Sequence, residues 1–281
     1  MRFDERALAF SCQGDWLYGV LSMPAEPEAR GVVIVVGGPQ YRAGSHRQFT
    51  LLARALAAAG IPVLRFDYRG MGDSDGARRS FEAVADDLRA ALDRFFAETP
   101  ELREVALWGL CDGASAGALY APTDRRVTGL ALLNPWVRTE QGAAKATIKH
   151  YYRARLLDPE LWKKVVRGRF DIAAALGSLA ANLRAAFGRK APAQAGCDPA
   201  SLPARIQDAL GRFEGRVLVM LSGADLTAQE FSGLAAAPPW QRLLSTPRFT
   251  HKMLPKADHT CSRREWHDQV ALWTRDWLRS W

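Results

Sequence analysis

The sequence predicts a mostly parallel, doubly wound α/β sheet interrupted by a helical insertion. Short apolar runs alternate with amphipathic stretches over most of the chain, as strand-helix repeats require. Several of those runs are apolar throughout, the mark of strands buried on both faces of a parallel sheet. The alternation stops between Pro135 and Phe213, where no strand-like run occurs.

Taken in order, Phe3–Cys12 and residues 16–23 alternate apolar and polar positions around Gln13-Gly14-Asp15, which predicts a β-hairpin. Residues 31–36 form a continuous apolar strand, 49–59 a helix and 62–66 the next strand. Apolar residues at Phe81, Val84, Leu88, Leu92 and Phe95 have helical spacing and predict a helix over 81–97. Residues 105–108, Val127–Leu133, 216–221 and Phe249–Leu254 complete the strands, and 266–278 close as a helix. The interruption is alanine-rich, with helical patterning at 145–155, 159–169, 172–187 and 202–210 and a proline-containing loop at 188–199. The expected division is a core of residues 1–136 and 213–281 carrying a helical cap of residues 137–212.

Composition narrows the class. An apolar fraction of 48% supplies a sizeable core and excludes a disordered chain. Residues 1–6 hold no apolar stretch of the kind a secretory signal needs, and no run of about 18 apolar residues exists to span a membrane. The cysteines Cys12, Cys111, Cys197 and Cys261 have neither metal-ligand nor disulfide-framework spacing. A reduced, cytoplasmic protein without metal or cofactor is expected. Between Arg138 and Arg212, 14 Lys and Arg face 6 Asp and Glu, which equals the whole chain's net charge of +8. A field of that sign favours anionic partners, either acidic or phosphate-bearing substrates or an anionic membrane surface. A solvated helical face accounts for it equally well. Nucleic acid is not an expected partner, because no recognition motif accompanies the charge.

The chemistry is concentrated where the strand ending Val105-Ala106-Leu107-Trp108 passes through Gly109-Leu110-Cys111-Asp112-Gly113 into a small-residue helix. Glycine at both flanks of a sharp strand-to-helix turn lifts the central side chain into the open, and the helix behind it favours negative charge there. Cys111 is the expected nucleophile. Gly113-Ala114-Ser115-Ala116-Gly117 also spells a serine elbow, but Ser115 lies a turn further on, inside the helix, where small residues suit close packing on the sheet. Left to packing alone, Cys111 would be a small buried hydrophobe.

Reacting groups gather at the carboxyl ends of the strands in an open parallel sheet. After the strand at 216–221 comes Ser222-Gly223-Ala224-Asp225, and after Phe249–Leu254 comes Pro255-Lys256-Ala257-Asp258-His259. Cys111, Asp225 and His259 thus follow three strands in the order nucleophile, acid, base. Glu230 is the reserve acid, and Asp258 reads as a turn residue. His251 lies within a strand, His267 on the closing helix, and His46 and His150 in loop or helix contexts. The strand ending at Val36 continues Gly37-Gly38-Pro39-Gln40. The amides of Gly38 and Asp112 are the expected oxyanion donors, with Gln40 in reserve because Pro39 has no N–H. Asp67 and Arg69 are expected to brace neighbouring loops.

These motifs, with Asp-Tyr-Arg-Gly-Met-Gly-Asp-Ser (residues 67–74) and Ala-Asp-His-Thr (257–260), resemble the α/β-hydrolase superfamily across essentially the whole chain. Val-Gly-Gly-Pro-Gln-Tyr-Arg-Ala-Gly-Ser-His-Arg-Gln-Phe (36–49) and Gly-Leu-Cys-Asp-Gly-Ala-Ser-Ala (109–116) resemble, more narrowly, the first hydrolase associated with exosortase A systems. The resemblance implies the α/β-hydrolase fold, a Cys111–Asp225–His259 triad, a helical cap and a setting in exopolysaccharide gene clusters. Cysteine stands where most of the superfamily carries serine. The expected activity is hydrolysis of an ester or thioester acyl group through an acyl-cysteine intermediate. Two other readings stay open. One is an acyltransferase on the same triad; the other is a binding protein with a vestigial triad that docks on a membrane through its basic, aromatic cap.

Overall fold

The computed structural model describes residues 2–38, 40–137 and 201–281. Eight strands form a single sheet: β1 (Phe3–Cys12), β2 (Asp15–Pro24), β3 (Arg30–Val35), β4 (Val63–Phe66), β5 (Glu104–Leu110), β6 (Val127–Leu133), β7 (Arg216–Ser222) and β8 (Phe249–Leu254). Their spatial order is β1-β2-β4-β3-β5-β6-β7-β8. β1 and β2 are antiparallel, β2 pairs antiparallel with β4, and every later pairing is parallel. The hairpin register joins Cys12 to Asp15, leaving Gln13 and Gly14 in a two-residue turn with φ of 52° and 92°. Positive φ at both positions gives the turn a twist that matches the flanking strands.

Burial follows the periodicities. On β1 only Leu8, Phe10 and Cys12 are buried, every second residue, whereas Val32, Val33, Ile34 and Val35 of β3 are all inaccessible. Seven α-helices are described: α1 (Gln48–Ala58), α2 (Ala85–Glu98), α3 (Asp112–Tyr120), α4 (Leu202–Arg212), α5 (Leu226–Ala235), α6 (Pro238–Leu244) and α7 (Arg264–Leu278). Two adjacent residues of β5 show how the helices cover both faces. Trp108 packs edge-on against Phe49 of α1 and donates its indole N–H to Thr274 of α7 at 3.3 Å. Leu107, whose side chain points the other way, lies beneath Gly117 of α3. Opposite faces therefore carry α1 with α7 and α3.

Some boundaries differ from the sequence expectation. β5 continues to Leu110, two residues beyond Trp108, because its pairing with β6 persists to Leu133. The stretch from Phe81 opens as a 3-10 turn (Phe81–Ala83) whose Glu82 amide is capped by the Ser80 hydroxyl, and α2 starts only at Ala85. α5 holds Glu230, which the sequence places on a helix without bounds, Ser232 and Gly233 diluting its signal; α6, opened by Pro238, lies where no element is expected.

The chain divides into two compact units, Met1–Trp136 with Arg205–Trp281 and Val137–Ala204. The second boundary falls at Arg205 rather than at 213. The helices expected at 145–155, 159–169 and 172–187, the loop at 188–199, and Cys197 and His150 lie outside the described residues. Among the described residues no helix is long and apolar enough to cross a membrane.

Candidate active site

Because β3 to β8 run parallel, the loops that leave β3, β5, β6, β7 and β8 emerge along one edge of the sheet. Cys111 is the first residue beyond β5 and caps α3 with φ 59° and ψ −124°, a conformation that a non-glycine residue rarely adopts. Its amide donates to Leu133 at 2.9 Å, and its carbonyl accepts from Trp136 at 3.1 Å, so both sides of the strained residue are tied to the exit of β6. The flanking glycines are sterically required. A Cβ on Gly109 would sit 2.4 Å from the Ala114 nitrogen, and one on Gly113 would sit 2.4 Å from the Val35 carbonyl. Cys111 is half-buried, while Cys12 and Cys261 are buried.

Asp225 follows β7 and caps α5. Its carboxylate accepts from the amides of Thr227 (3.3 Å) and Ala228 (3.0 Å), which fixes it on the helix N-terminus. Its Oδ2 lies 3.0 Å from Nδ1 of His259, in the loop after β8. The separation is of hydrogen-bond length although the Nδ1–H direction is poorly aligned with the oxygen. Cys111 lies close enough to the imidazole to favour its charged form. Asp225 first and Cys111 second hold the imidazolium form, raising the His259 pKa to about 10 against the opposing effect of burial. Three side chains from three different strand ends are thus brought together.

The loop after β3 meets the same place. Gly37 lies so close to Asp112 that a Cβ there would be 2.1 Å from the Asp112 carboxyl oxygen and 2.5 Å from the Gly113 nitrogen. Gly38 has φ 59°, and a Cβ there would lie 3.9 Å from the Asp112 carboxyl oxygen; the backbone amides of Gly38, Gly113 and Asp112 favour the charged form of that carboxyl. Burial is the largest influence on that carboxyl and raises its pKa; the three amides oppose it. One carboxyl oxygen is buried without a well-formed hydrogen bond. Gly38 and Asp112 therefore share an amide-lined recess that holds an acidic group. Gln40 is turned elsewhere: its amide donates to the Gly37 carbonyl at 3.3 Å, and its side chain accepts from Gln48. Pro39 is outside the described residues.

The remaining candidates occupy other settings. Ser115 is fully buried in α3, and its hydroxyl donates to the Trp136 carbonyl at 2.6 Å. Asp258 is engaged by the amide and hydroxyl of Ser262, which hold its carboxyl below the usual range although burial works against them. His251 sets its Nε2 against the Leu244 carbonyl at 2.9 Å and stacks on Phe249. Burial lowers the pKa of His267 on α7. Glu230 lies within α5, and His46 in a 3-10 turn after the β3 loop. Asp67 accepts from the amide and the guanidinium of Arg42, and Arg69 forks onto Asp87, so both residues brace the loop after β4.

Asn134 is a residue the sequence reading passed over. It ends β6 at φ 48°, is fully buried, and donates to Ser222 Oγ (3.0 Å) and to the His259 carbonyl (3.1 Å) while accepting from the Ser222 amide (2.8 Å). A lone amide between an apolar strand and Pro135 was the signal available in the sequence.

This arrangement agrees with what the chain resembles as a whole. The sequence profile described as serine aminopeptidase, S33, matches residues 27–254. The chain belongs to that family. It is an α/β-hydrolase, and solved structures of similar fold are hydrolases too. An esterase from Pyrococcus furiosus superposes with a TM-score of 0.67 at 14% identity, over 99% of this chain and 92% of its own. A dienelactone hydrolase from Anabaena variabilis gives 0.62 at 16% identity, over 99% and 98%. Est1E from Butyrivibrio proteoclasticus, solved with ferulic acid bound, gives 0.61 at 16% identity, over 97% and 98%. Among curated proteins, none matches the chain in sequence. At these identities the structural likeness speaks for the fold. This α/β-hydrolase carries cysteine at its strand-to-helix turn.

Proposed function

We propose that this α/β-hydrolase cleaves ester or thioester acyl donors through a covalent acyl-cysteine intermediate. The observation that carries the reading is the meeting of three strand ends at His259, whose Nδ1 lies 3.0 Å from the Asp225 carboxylate and whose charged form both Asp225 and Cys111 favour. His259 holds the proton given up by the Cys111 thiol, and the sulfur attacks the acyl carbon as the thiolate. The carbonyl oxygen takes up the negative charge and replaces the Asp112 carboxyl at the amides of Gly38 and Asp112. Collapse of the adduct breaks the bond to the leaving alcohol or thiol, which takes the proton from His259. Water then gives a proton to His259 and attacks the thioester carbon; the sulfur leaves, the acid is released and the thiol is reprotonated. A sulfur nucleophile suits donors with good leaving groups better than amides.

We further assign the activity to exopolysaccharide assembly, on the resemblance of residues 36–49 and 109–116 to exosortase A-associated hydrolases. The test is turnover of p-nitrophenyl acetate and of acyl N-acetylcysteamine thioesters by wild type, Cys111→Ala and Ser115→Ala. Loss of at least a thousandfold in kcat/KM with Cys111→Ala alone is expected, following the scale seen when a nucleophile is removed. Full activity in Cys111→Ala, or its loss only in Ser115→Ala, overturns the reading.

A further inference from the structure

A cleft of about 360 Å³ opens beside the amide recess, and Gly38 and Asp112 form part of its wall. Arg78, Arg79 and Ser80, from the loop after β4, also line it, and Tyr68, Met71 and Phe81 add apolar surface. Two adjacent guanidiniums in a cleft of this size, against the group expected to hold the oxyanion, form a site that the mechanism above does not use.

Among the described residues neither Arg78 nor Arg79 forms an ion pair, although most other arginines of the core do. Nε of Arg79 is buried without a hydrogen-bond partner among those residues.

The loop that presents them is firmly held. Gly70 lies so near Arg78 that a Cβ would be 2.5 Å from the Arg78 backbone, and its φ of 76° suits glycine. The Gly70 amide donates to Asp75 at 2.9 Å, Asp75 donates to Trp16 at 2.9 Å, and the Ser74 hydroxyl donates to the Asp67 carbonyl at 2.6 Å. Arg69, one residue before Gly70, is anchored on buried Asp87 through its backbone amide and its guanidinium. A braced loop presents its charges at little ordering cost, which is what a binding wall needs.

We propose that Arg78 and Arg79 bind an anionic oxygen group, a carboxylate or a phosphate, carried by the acyl donor. The site thereby selects charged acyl donors over neutral ones of equal length. Guanidiniums suit this task because their planar forks match carboxylate and phosphate oxygens two at a time. Asp112 is the carboxyl that lines the same cleft, and the two guanidiniums outnumber it there. This inference rests on the acyl-transfer reading of Cys111 and specifies its substrate class.

The experiment compares kcat/KM for pentanoyl and glutaryl N-acetylcysteamine thioesters, and for pentanoyl-coenzyme A, in wild type, R78A/R79A and R78K/R79K. Wild type should prefer at least one charged donor over pentanoyl N-acetylcysteamine by tenfold or more. Preference for glutaryl places the anion on the acyl chain, and preference for the coenzyme A thioester places it on the leaving group. R78A/R79A should erase most of that preference, while R78K/R79K keeps part of it. Turnover of the neutral thioester with no charged preference, or a preference that survives R78A/R79A, overturns the inference and leaves the acyl-transfer reading standing.

Binding gives a readout independent of turnover. Calorimetry of glutaryl N-acetylcysteamine and of pentanoyl-coenzyme A with Cys111→Ala, and with Cys111→Ala carrying R78A/R79A, should show at least tenfold weaker binding of one of them without the arginines. If no donor is cleaved, the acyl-transfer reading falls, and this comparison still decides the anion site: unchanged binding of both ligands overturns it.

Discussion

The side-chain amide of Asn134 donates to the main-chain carbonyl of His259 at 3.1 Å, joining the end of β6 to the loop after β8. The same side chain exchanges hydrogen bonds with Ser222 at the end of β7, so one buried amide ties three strand exits together. Its φ of 48° is one that asparagine tolerates better than most residues. The histidine is therefore positioned from two directions, through its ring by Asp225 and through its backbone by Asn134.

Replacing Asn134 by leucine should destabilise the fold by about 2–4 kcal/mol, since it strands the Ser222 amide without a partner in a buried setting. Urea denaturation measures this. If the tie positions His259, kcat for any acyl donor should fall more than KM rises. An Asn134→Asp variant, which keeps the acceptor for the Ser222 amide, should recover part of the stability but not the contact to His259.

The elbow glycines should respond unequally to a methyl group. Gly109→Ala and Gly113→Ala drive a Cβ to 2.4 Å from backbone atoms and should each cost about 3 kcal/mol, at the upper end of overpacking. Gly117→Ala meets nothing nearer than 3.6 Å and should be neutral or gain up to about 1 kcal/mol from helix propensity. Comparing the three by urea denaturation checks the geometry of the turn without reference to any substrate.

Asp87 and Arg69 are 0% and 3% exposed and share three hydrogen bonds of 2.8–3.0 Å. Asp87→Ala should cost about 3–5 kcal/mol, because it leaves a guanidinium buried and uncompensated. An Asp87→Leu/Arg69→Met double variant should cost much less than either single change. A double variant as unstable as Asp87→Ala would show that the pair, not the stranded charge, sets the penalty.

Thiol reactivity separates the cysteines. Burial pushes the Cys261 thiol up to about 11, and burial also raises that of Cys12. Iodoacetamide at neutral pH should therefore label Cys111 at least tenfold faster than either, because alkylation requires an accessible thiolate. His259→Ala should slow labelling at Cys111 and leave Cys12 and Cys261 unchanged. Peptide mass spectrometry over a time course gives all three rates.

His259 also predicts a pH signature in stability. Its folded pKa of about 10 lies above the ordinary imidazole value near 6.5, so its partners stabilise the charged ring. That contribution is fully present below pH 6.5 and is lost as pH rises through about 10. The stability difference between wild type and His259→Ala should shrink over that interval in urea titrations. A difference that grows with pH would contradict the assignment.

Much of this site was legible because strand ends and turn chemistry leave local signatures. Gly109 and Gly113 announce a turn whose crowding the distances bear out, and apolar runs such as residues 31–36 announce strands whose exits share one edge. Spacing along the chain could not show which loops converge in space. The tie from Asn134 to His259 crosses 125 residues, and the approach of Gly37 to Asp112 depends on β3 and β5 lying side by side. Arg78 and Arg79 read as two more charges in a turn-rich stretch. Only the Gly70 contact and the neighbouring Gly38 and Asp112 give them a shared cleft.

β6 and β7 are hydrogen-bonded neighbours, Leu133 beside Met220, although more than eighty residues separate them in sequence. Closing a longer chain segment costs little extra, about 0.6 kcal/mol for each doubling of its length. The sheet can consequently tolerate wholesale exchange of what lies between these two strands. Cys111, Asp225 and His259, with Gly38 and the arginine pair, all fall outside that interval, and Asn134 stands at its very first position. Evolution can graft one intervening sequence after another at this seam while the chemistry is inherited intact.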